Sequence, residues 1–290
     1  MTLVELCAGS AAVSLRYLSA RGRPPLAWQG GKRGYADQIL AAMGLQPGGG
    51  RGADIVLVEP GPWGEAWEHW RRPEGRADTI ERLRAWAEED PRTLWERLRA
   101  APVPAEVGER VATWAVLHFW SFGRKPVWAN EATWRTHGFN AADAYGASYH
   151  AAHVAKGGKP RWDGGDAVLA DVVNGLRALP SLSRVTVLRC SALDVPPIPG
   201  AVVYLDPPYE GTTCAYGHAL PRPEVLALAE RWRCAGASLV AVSEAAPLPL
   251  PGWHAHELGG PAGFGRTWSK QRREVLTLSR PAAGQLALIA

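Results

Sequence analysis

Five short apolar runs constrain this 290-residue chain more than anything else in it. They are "TLVELCAG" at 2–9, "DIVLVEP" at 54–60, "RVTVLRC" at 184–190, "GAVVYLD" at 200–206 and "SLVAVSE" at 238–244. A strand with one wet face alternates apolar and polar side chains. A continuous apolar run instead suits a strand buried on both faces, as inside a parallel sheet. Segments with helical spacing stand between these runs: "SAAVSLRYLSARG", "GYADQILAAMGL", "AVLADVVNGLRAL" and "PEVLALAERWRCAG". The last is opened by Pro and closed by Gly, the usual asymmetry of helix ends. "WHAHEL" and "REVLTLSR" read as two final strands. The alternation predicts an α/β fold with a doubly wound sheet.

The alternation is broken once. From 64 to 120 the pattern is helical throughout, and 121–166 has no clear period but many Trp, Tyr, His, Gly and basic residues. A loop-rich stretch of that length inside a compact domain usually carries function. The expected organisation is therefore a core of 1–60 and 167–290 with an insertion at 61–166. Many of the 14 tryptophans lie between Trp63 and Trp162. Most are expected to bury against short helices, and the remainder to offer stacking faces to a ligand.

Bulk properties narrow the classes of function. Thirty-two Lys and Arg stand against 28 Asp and Glu, a formal charge of +4, which permits a polyanionic partner without demanding one. Cysteines 7, 190, 214 and 234 form no CxxC pair, so neither a disulfide framework nor a zinc site is expected. His150 and His153 lack a companion set of ligands at convincing spacing, and no metal is assigned. No apolar run approaches the ~20 residues of a membrane span. The start "MTLVELCAGS" reads as a strand and not as a signal peptide, so a cytoplasmic protein is expected.

In open α/β sheets, ligands sit beyond the carboxyl ends of the strands. "CAGSA" follows the first strand, and its small residues Ala8, Gly9 and Ser10 let a ligand approach the backbone. Glu59 follows the second strand, placed to accept hydrogen bonds from a ribose diol. Asp194 lies beyond "RVTVLRC". Asp206-Pro207-Pro208-Tyr209 ends the "VVYL" strand. The two prolines fix φ and remove two N–H donors, which takes this corner out of the sheet ladder. Together these groups describe a pocket for a nucleoside-type cofactor with a polar corner beside it.

"YLDPPY" after an apolar strand resembles the catalytic motif of the S-adenosylmethionine-dependent DNA adenine-N6 methyltransferases of the Dam-like class. "VELCAGSAAVSL" is similar to their cofactor loop, "AWQGGKRGYADQIL" to their GGK segment beside the methionine end of the cofactor, and "LRCSALDV" to the segment whose acid meets the adenine. The likeness covers the two ends of the chain, about half of it. Two departures stand out. Gly30, Gly31 and Lys32 follow the cofactor loop here where the family has them before it, although proximity in space can survive that change of order. "LCAGSA" also has fewer glycines than the family's loop and no aromatic residue.

The resemblance implies a Rossmann-like methyltransferase sheet with a mostly helical, loop-rich insertion. It implies S-adenosyl-L-methionine as cofactor, held by Leu6, Cys7, Ala8, Gly9, Ser10, Ala11, Gly30, Gly31, Lys32, Glu59 and Asp194. Asp206 and the Pro207 carbonyl bind the target amine, with Pro208 holding the turn and Tyr209 stacking on the base. Duplex DNA is the expected partner and the insertion its reader. Arg124, Lys125, Arg135, Lys156, Lys159 and Arg161 are candidates for phosphates, and Asn130 or Asn140 for an adenine edge. Arg266 and Lys270, in "GFGRTWSKQRRE", are placed to flank the DNA backbone. Two alternatives remain open at this level: amino methylation of RNA, a nucleotide or a protein, and a catalytically silent DNA-binding module on the same fold.

Overall fold

The computed structural model describes residues 1–27, 31–122, 125–130, 132–141, 167–209, 220–259 and 274–280. They fall into two compact units. The first comprises 1–24, 31–60 and 180–290, and the second 25–30 and 61–179.

The first unit opens with β1 (Thr2–Leu6), α1 (Ala12–Leu18), α2 (Ala36–Ala42) and β2 (Asp54–Val58). The chain then builds the second unit from α3 (Pro62–Trp70), α4 (Pro73–Ala85), α5 (Pro91–Ala100), α6 (Val107–Phe119), β3 (Trp128–Asn130), β4 (Thr133–Arg135) and α7 (Ala167–Arg177). It returns to the first unit with β5 (Val185–Leu188), β6 (Val202–Leu205), α8 (Arg222–Cys234), β7 (Leu239–Glu244), β8 (His254–Leu258) and β9 (Glu274–Leu278). No helix among the described residues is long and apolar enough to cross a membrane.

The first unit is an α/β structure on a mixed, mostly parallel sheet of seven strands in the order β5-β2-β1-β6-β7-β9-β8. Strands β5, β2, β1, β6 and β7 are mutually parallel, whereas β9 runs antiparallel to both β7 and β8. Every residue of β6, β7 and β9 is buried, including Ser243 and Glu244 of β7 and Glu274 and Thr277 of β9. Alternation along β1 assigns the two faces. Val4 and Leu6 join Val203, Leu205, Val240 and Val242 in a cluster with Val225, Leu228 and Trp232 of α8. Glu5 points the other way, where its carboxylate accepts the backbone N–H of Ser14 on α1 at 2.9 Å.

The second unit is held by tryptophans. Trp63, Trp67 and Trp70 are spaced to share one face of α3 and are all fully buried. Trp63 stacks on Trp67 at 5.8 Å between ring centroids and meets Trp114 of α6 edge-on at 5.0 Å. Two indole N–H groups of this core find acceptors: Trp70 donates to Thr79 Oγ1 at 3.1 Å, and Trp114 to the Val127 carbonyl at 3.0 Å. The expectation that most tryptophans bury against short helices agrees with this packing. Side-chain caps open α5 and α6. The Asp90 side chain accepts from Thr93 N at the head of α5, and Glu106 accepts from Gly108 N and Glu109 N at the head of α6.

Two features depart from the sequence reading. Residues 128–130 and 133–135 pair as antiparallel strands, Trp128 with Arg135 and Asn130 with Thr133, inside a stretch read as having no period. Three-residue strands are too short to display one. The helix α7 packs with α4 and so sits in the helical unit, although its sequence continues into the strands of the first.

Candidate active site

The C-terminal ends of β1, β2 and β6 lie side by side, since β1 pairs with both of the others. The turn leaving β1 is unusual backbone. Cys7, Gly9 and Ala11 have φ of 57°, 46° and 51°. For the two side-chain-bearing residues this left-handed conformation costs about 1–2 kcal/mol each. Hydrogen bonds hold the turn in that shape: Ala8 N to the Val58 carbonyl at 3.0 Å, Gly9 N to Glu59 Oε2 at 3.0 Å, and Ala11 N to the Ala8 carbonyl at 2.7 Å. Glu59 therefore ties the turn after β1 to the end of β2. Ala8, Ser10 and Ala11 are buried within it.

Asp206 leaves β6 with its N–H donating to the Leu6 carbonyl at 3.2 Å. Lys32, in a 3-10 turn just before α2, places Nζ 2.7 Å from Asp206 Oδ1 and 3.8 Å from Glu274 Oε1. The same ammonium stands 4.7 Å from the centroid of the Tyr209 ring. The Tyr209 hydroxyl donates to Glu274 Oε1. Four side chains from three separated segments, Lys32, Asp206, Tyr209 and Glu274, thus form one cluster. Behind them, the hydroxyls of Tyr204 and Ser243 share a hydrogen bond of 2.8 Å.

The site is rich in buried acid. Burial pushes the Asp206 carboxyl up to about 6; the Lys32 ammonium opposes the rise, and the Glu274 and Glu244 carboxylates add to it. Burial pushes the Lys32 ammonium down, but Asp206 and Glu274 outweigh it and the net shift is upward. Burial raises Glu5 to about 7, with hydrogen bonds from Ser14 resisting. Cys7 and Tyr209 are pushed up by burial and by neighbouring carboxylates, so both stay protonated at neutral pH. Near pH 7 the centre holds an ionised Lys32–Asp206 pair with further acid around it.

The structure brings Cys7 through Ala11, Lys32, Glu59 and the motif Asp206 to Tyr209 into one region of the first unit. Leu6 contributes its carbonyl there, while its side chain packs into the apolar core under α8. Gly31 is the residue before the turn of Lys32. Asp194 sits in a 3-10 turn after β5 with its side chain exposed. In the second unit Asn130 and Arg135 are exposed at opposite ends of the β3–β4 pair, and Lys125 is half-buried. Gly30, Arg124, Lys156, Lys159, Arg161, Arg266, Lys270, His150 and His153 lie outside the described residues.

Sequence reasoning missed Glu274 and Glu5. Each is an acid in an otherwise apolar strand, "EVLTL" and "TLVEL". That placement was itself a signal, because a strand covered on both faces buries every side chain it carries. A scan against models of protein families finds no match to the chain, and a search of curated proteins finds none either.

Proposed function

We propose that the chain transfers a methyl group from S-adenosyl-L-methionine to the N6 amino group of adenine in DNA. The observation that carries the reading is the contact of Lys32 with Asp206. It joins the segment resembling GGK to the segment resembling DPPY, and does so despite the permuted chain order. A mostly parallel sheet closed by an antiparallel hairpin suits the Rossmann-like methyltransferase sheet that the resemblance implies.

The residues present fit the cofactor. The turn Cys7–Ala11 offers small side chains, and Glu59 stands at its edge to meet a ribose. Asp206, Glu244 and Glu274 outnumber the ammonium of Lys32, a charge balance that favours a sulfonium cation over a neutral ligand. When bound, S-adenosylmethionine supplies an electrophilic methyl group.

The chain's own groups prepare the nucleophile. An exocyclic amine on adenine is weakly nucleophilic because its lone pair is delocalised into the ring. Asp206 accepts one N–H and the Pro207 carbonyl the other, which lets the nitrogen pyramidalise and directs its lone pair at the methyl carbon. The nitrogen–carbon bond forms as the sulfur–carbon bond breaks, and the surplus proton on nitrogen leaves through Asp206 or water. Tyr209 stacks on the base, repaying part of the few kcal/mol needed to flip it from a duplex. The second unit is the proposed reader of DNA, with Lys125, Asn130 and Arg135 as its described contacts.

The test is tritium transfer from labelled S-adenosylmethionine to mixed-sequence duplex DNA, followed by nucleoside analysis. Label is expected in N6-methyladenine. Asp206→Ala is expected to abolish transfer while calorimetry still detects cofactor binding, and methylation retained in that variant would overturn the mechanism. A second reading, methylation of another amine in RNA, a nucleotide or a protein, draws on the same corner: Asp206 already accepts from an amine-type donor in Lys32. Competition among duplex DNA, RNA and peptide separates the two.

A further inference from the structure

Glu274 opens β9 and is 8 % exposed. It pairs with Leu258 of β8 across the sheet, and its neighbour Val275 pairs with Glu244 of β7. It belongs to none of the segments that resemble a catalytic motif, yet it touches two residues that flank Asp206. One oxygen, Oε1, accepts the Tyr209 hydroxyl and lies 3.8 Å from Lys32 Nζ. A carboxylate withdrawn this far from water is costly unless its charge is paired and hydrogen-bonded. The fold meets that cost with the same two side chains on which the Asp206 corner depends.

We propose that Glu274 is a positioning residue for methyl transfer, anchoring the Tyr209 hydroxyl and the Lys32 ammonium about Asp206. The inference rests on the function proposed above. A tyrosine pinned at its hydroxyl cannot swing, so its ring keeps one plane. Lys32 takes one face of that ring, and a stacked base goes to the opposite face. Holding Lys32 between Glu274 and Asp206 also keeps the ammonium on the carboxylate that must accept the target amine.

Glu274 acts on Asp206 by charge as well as by geometry. The groups facing Asp206 are Glu5 and Cys7 from β1 and its turn, Lys32 before α2, Tyr204 of β6, Tyr209 beyond it, Glu244 of β7 and Glu274 of β9. Among them Glu274 raises the Asp206 carboxyl and Lys32 lowers it. Asp206 must be ionised to accept an amine N–H, so the rate rises with pH through its titration. Removing the Glu274 charge moves that rise to lower pH.

The experiment compares wild type, Glu274→Gln and Glu274→Leu in tritium transfer to duplex DNA across pH, with circular dichroism and calorimetric S-adenosylmethionine binding as controls. Glu274→Gln is expected to stay folded and bind cofactor. Its kcat is expected to fall about tenfold with KM little changed, and its acid limb to move to lower pH. Glu274→Leu, which keeps no acceptor for Tyr209, is expected to fall further, by about a hundredfold. If the leucine variant does not fold, the glutamine variant decides alone. Wild-type kcat with an unmoved acid limb in Glu274→Gln overturns the positioning role and leaves the methyltransferase reading standing. Absence of transfer by wild type overturns that reading, and this inference with it.

Discussion

Lys32 Nζ lies 2.7 Å from Asp206 Oδ1, with the two side chains only 7 % and 19 % exposed. One follows α1 and the other ends β6, and the sheet order that sets β6 beside β1 is what lets them meet. In water such a pair contributes little; buried, it controls the charge of whichever partner is easier to neutralise. Here that partner is Asp206, already raised to about 6.

Lys32→Met should therefore move the acid limb of the proposed methyl transfer to higher pH. Without the ammonium, burial and the Glu274 and Glu244 charges act on Asp206 unopposed. The variant should also lose about 3–5 kcal/mol of stability at neutral pH, the usual cost of leaving one member of a buried pair alone. A pH–rate profile checks the first statement and urea unfolding the second. A limb that stays in place would show that Lys32 does not govern Asp206.

Glu5→Gln should stabilise the protein at neutral pH. Burial raises the Glu5 carboxyl from its ordinary 4.5 to about 7. Between those values the native chain keeps a proton that the unfolded chain has lost, so stability falls as pH rises through this window and is level above it. Glutamine carries the acceptor for Ser14 N without the titration. Its advantage should be about 3 kcal/mol at pH 8 and should vanish at pH 4. Unfolding curves at the two pH values decide, and an equal gain at both would refute the linkage.

Gly175→Ala should destabilise, although alanine is the better helix former by about 1 kcal/mol. A Cβ on Gly175 of α7 would stand 2.7 Å from Cα of Pro25, which is backbone and cannot turn aside. Overpacking of this kind costs about 1–3 kcal/mol. A raised urea midpoint in the variant would mean that the helix accommodates the methyl group.

Trp63→Ala should cost about 3–5 kcal/mol, since it empties the centre of the second unit. The ring is 1 % exposed and in contact with Trp67, Trp70 and Trp114. A loss below 1 kcal/mol, measured by denaturant, would indicate that the tryptophan cluster is not the main support of that unit.

Much of the fold could be read from local pattern. β1, β2, β5, β6 and β7 were visible because strands inside a parallel sheet are mostly apolar runs, which stand out against helical spacing on either side. The helices were visible from their period, with boundaries within a few residues of those observed. The β3–β4 pair was hidden because three residues cannot show a period of two. Part of the site was legible too: Asp206-Pro207-Pro208-Tyr209 interrupts a strand with residues that cannot continue it, and Glu59 stands at a strand end.

The sequence by itself determined the alternation of strands and helices, the helical insertion and the corner at Asp206, since each depends on neighbours a few residues away. Only the tertiary structure decided that Lys32 meets Asp206 and that Glu274 meets both Lys32 and Tyr209. β9 enters the sheet antiparallel between β7 and β8, which carries the first residue of a late strand to the carboxyl ends of the early ones. That placement follows from strand order and direction, which are settled by packing both faces of the whole sheet. No local run of residues encodes it.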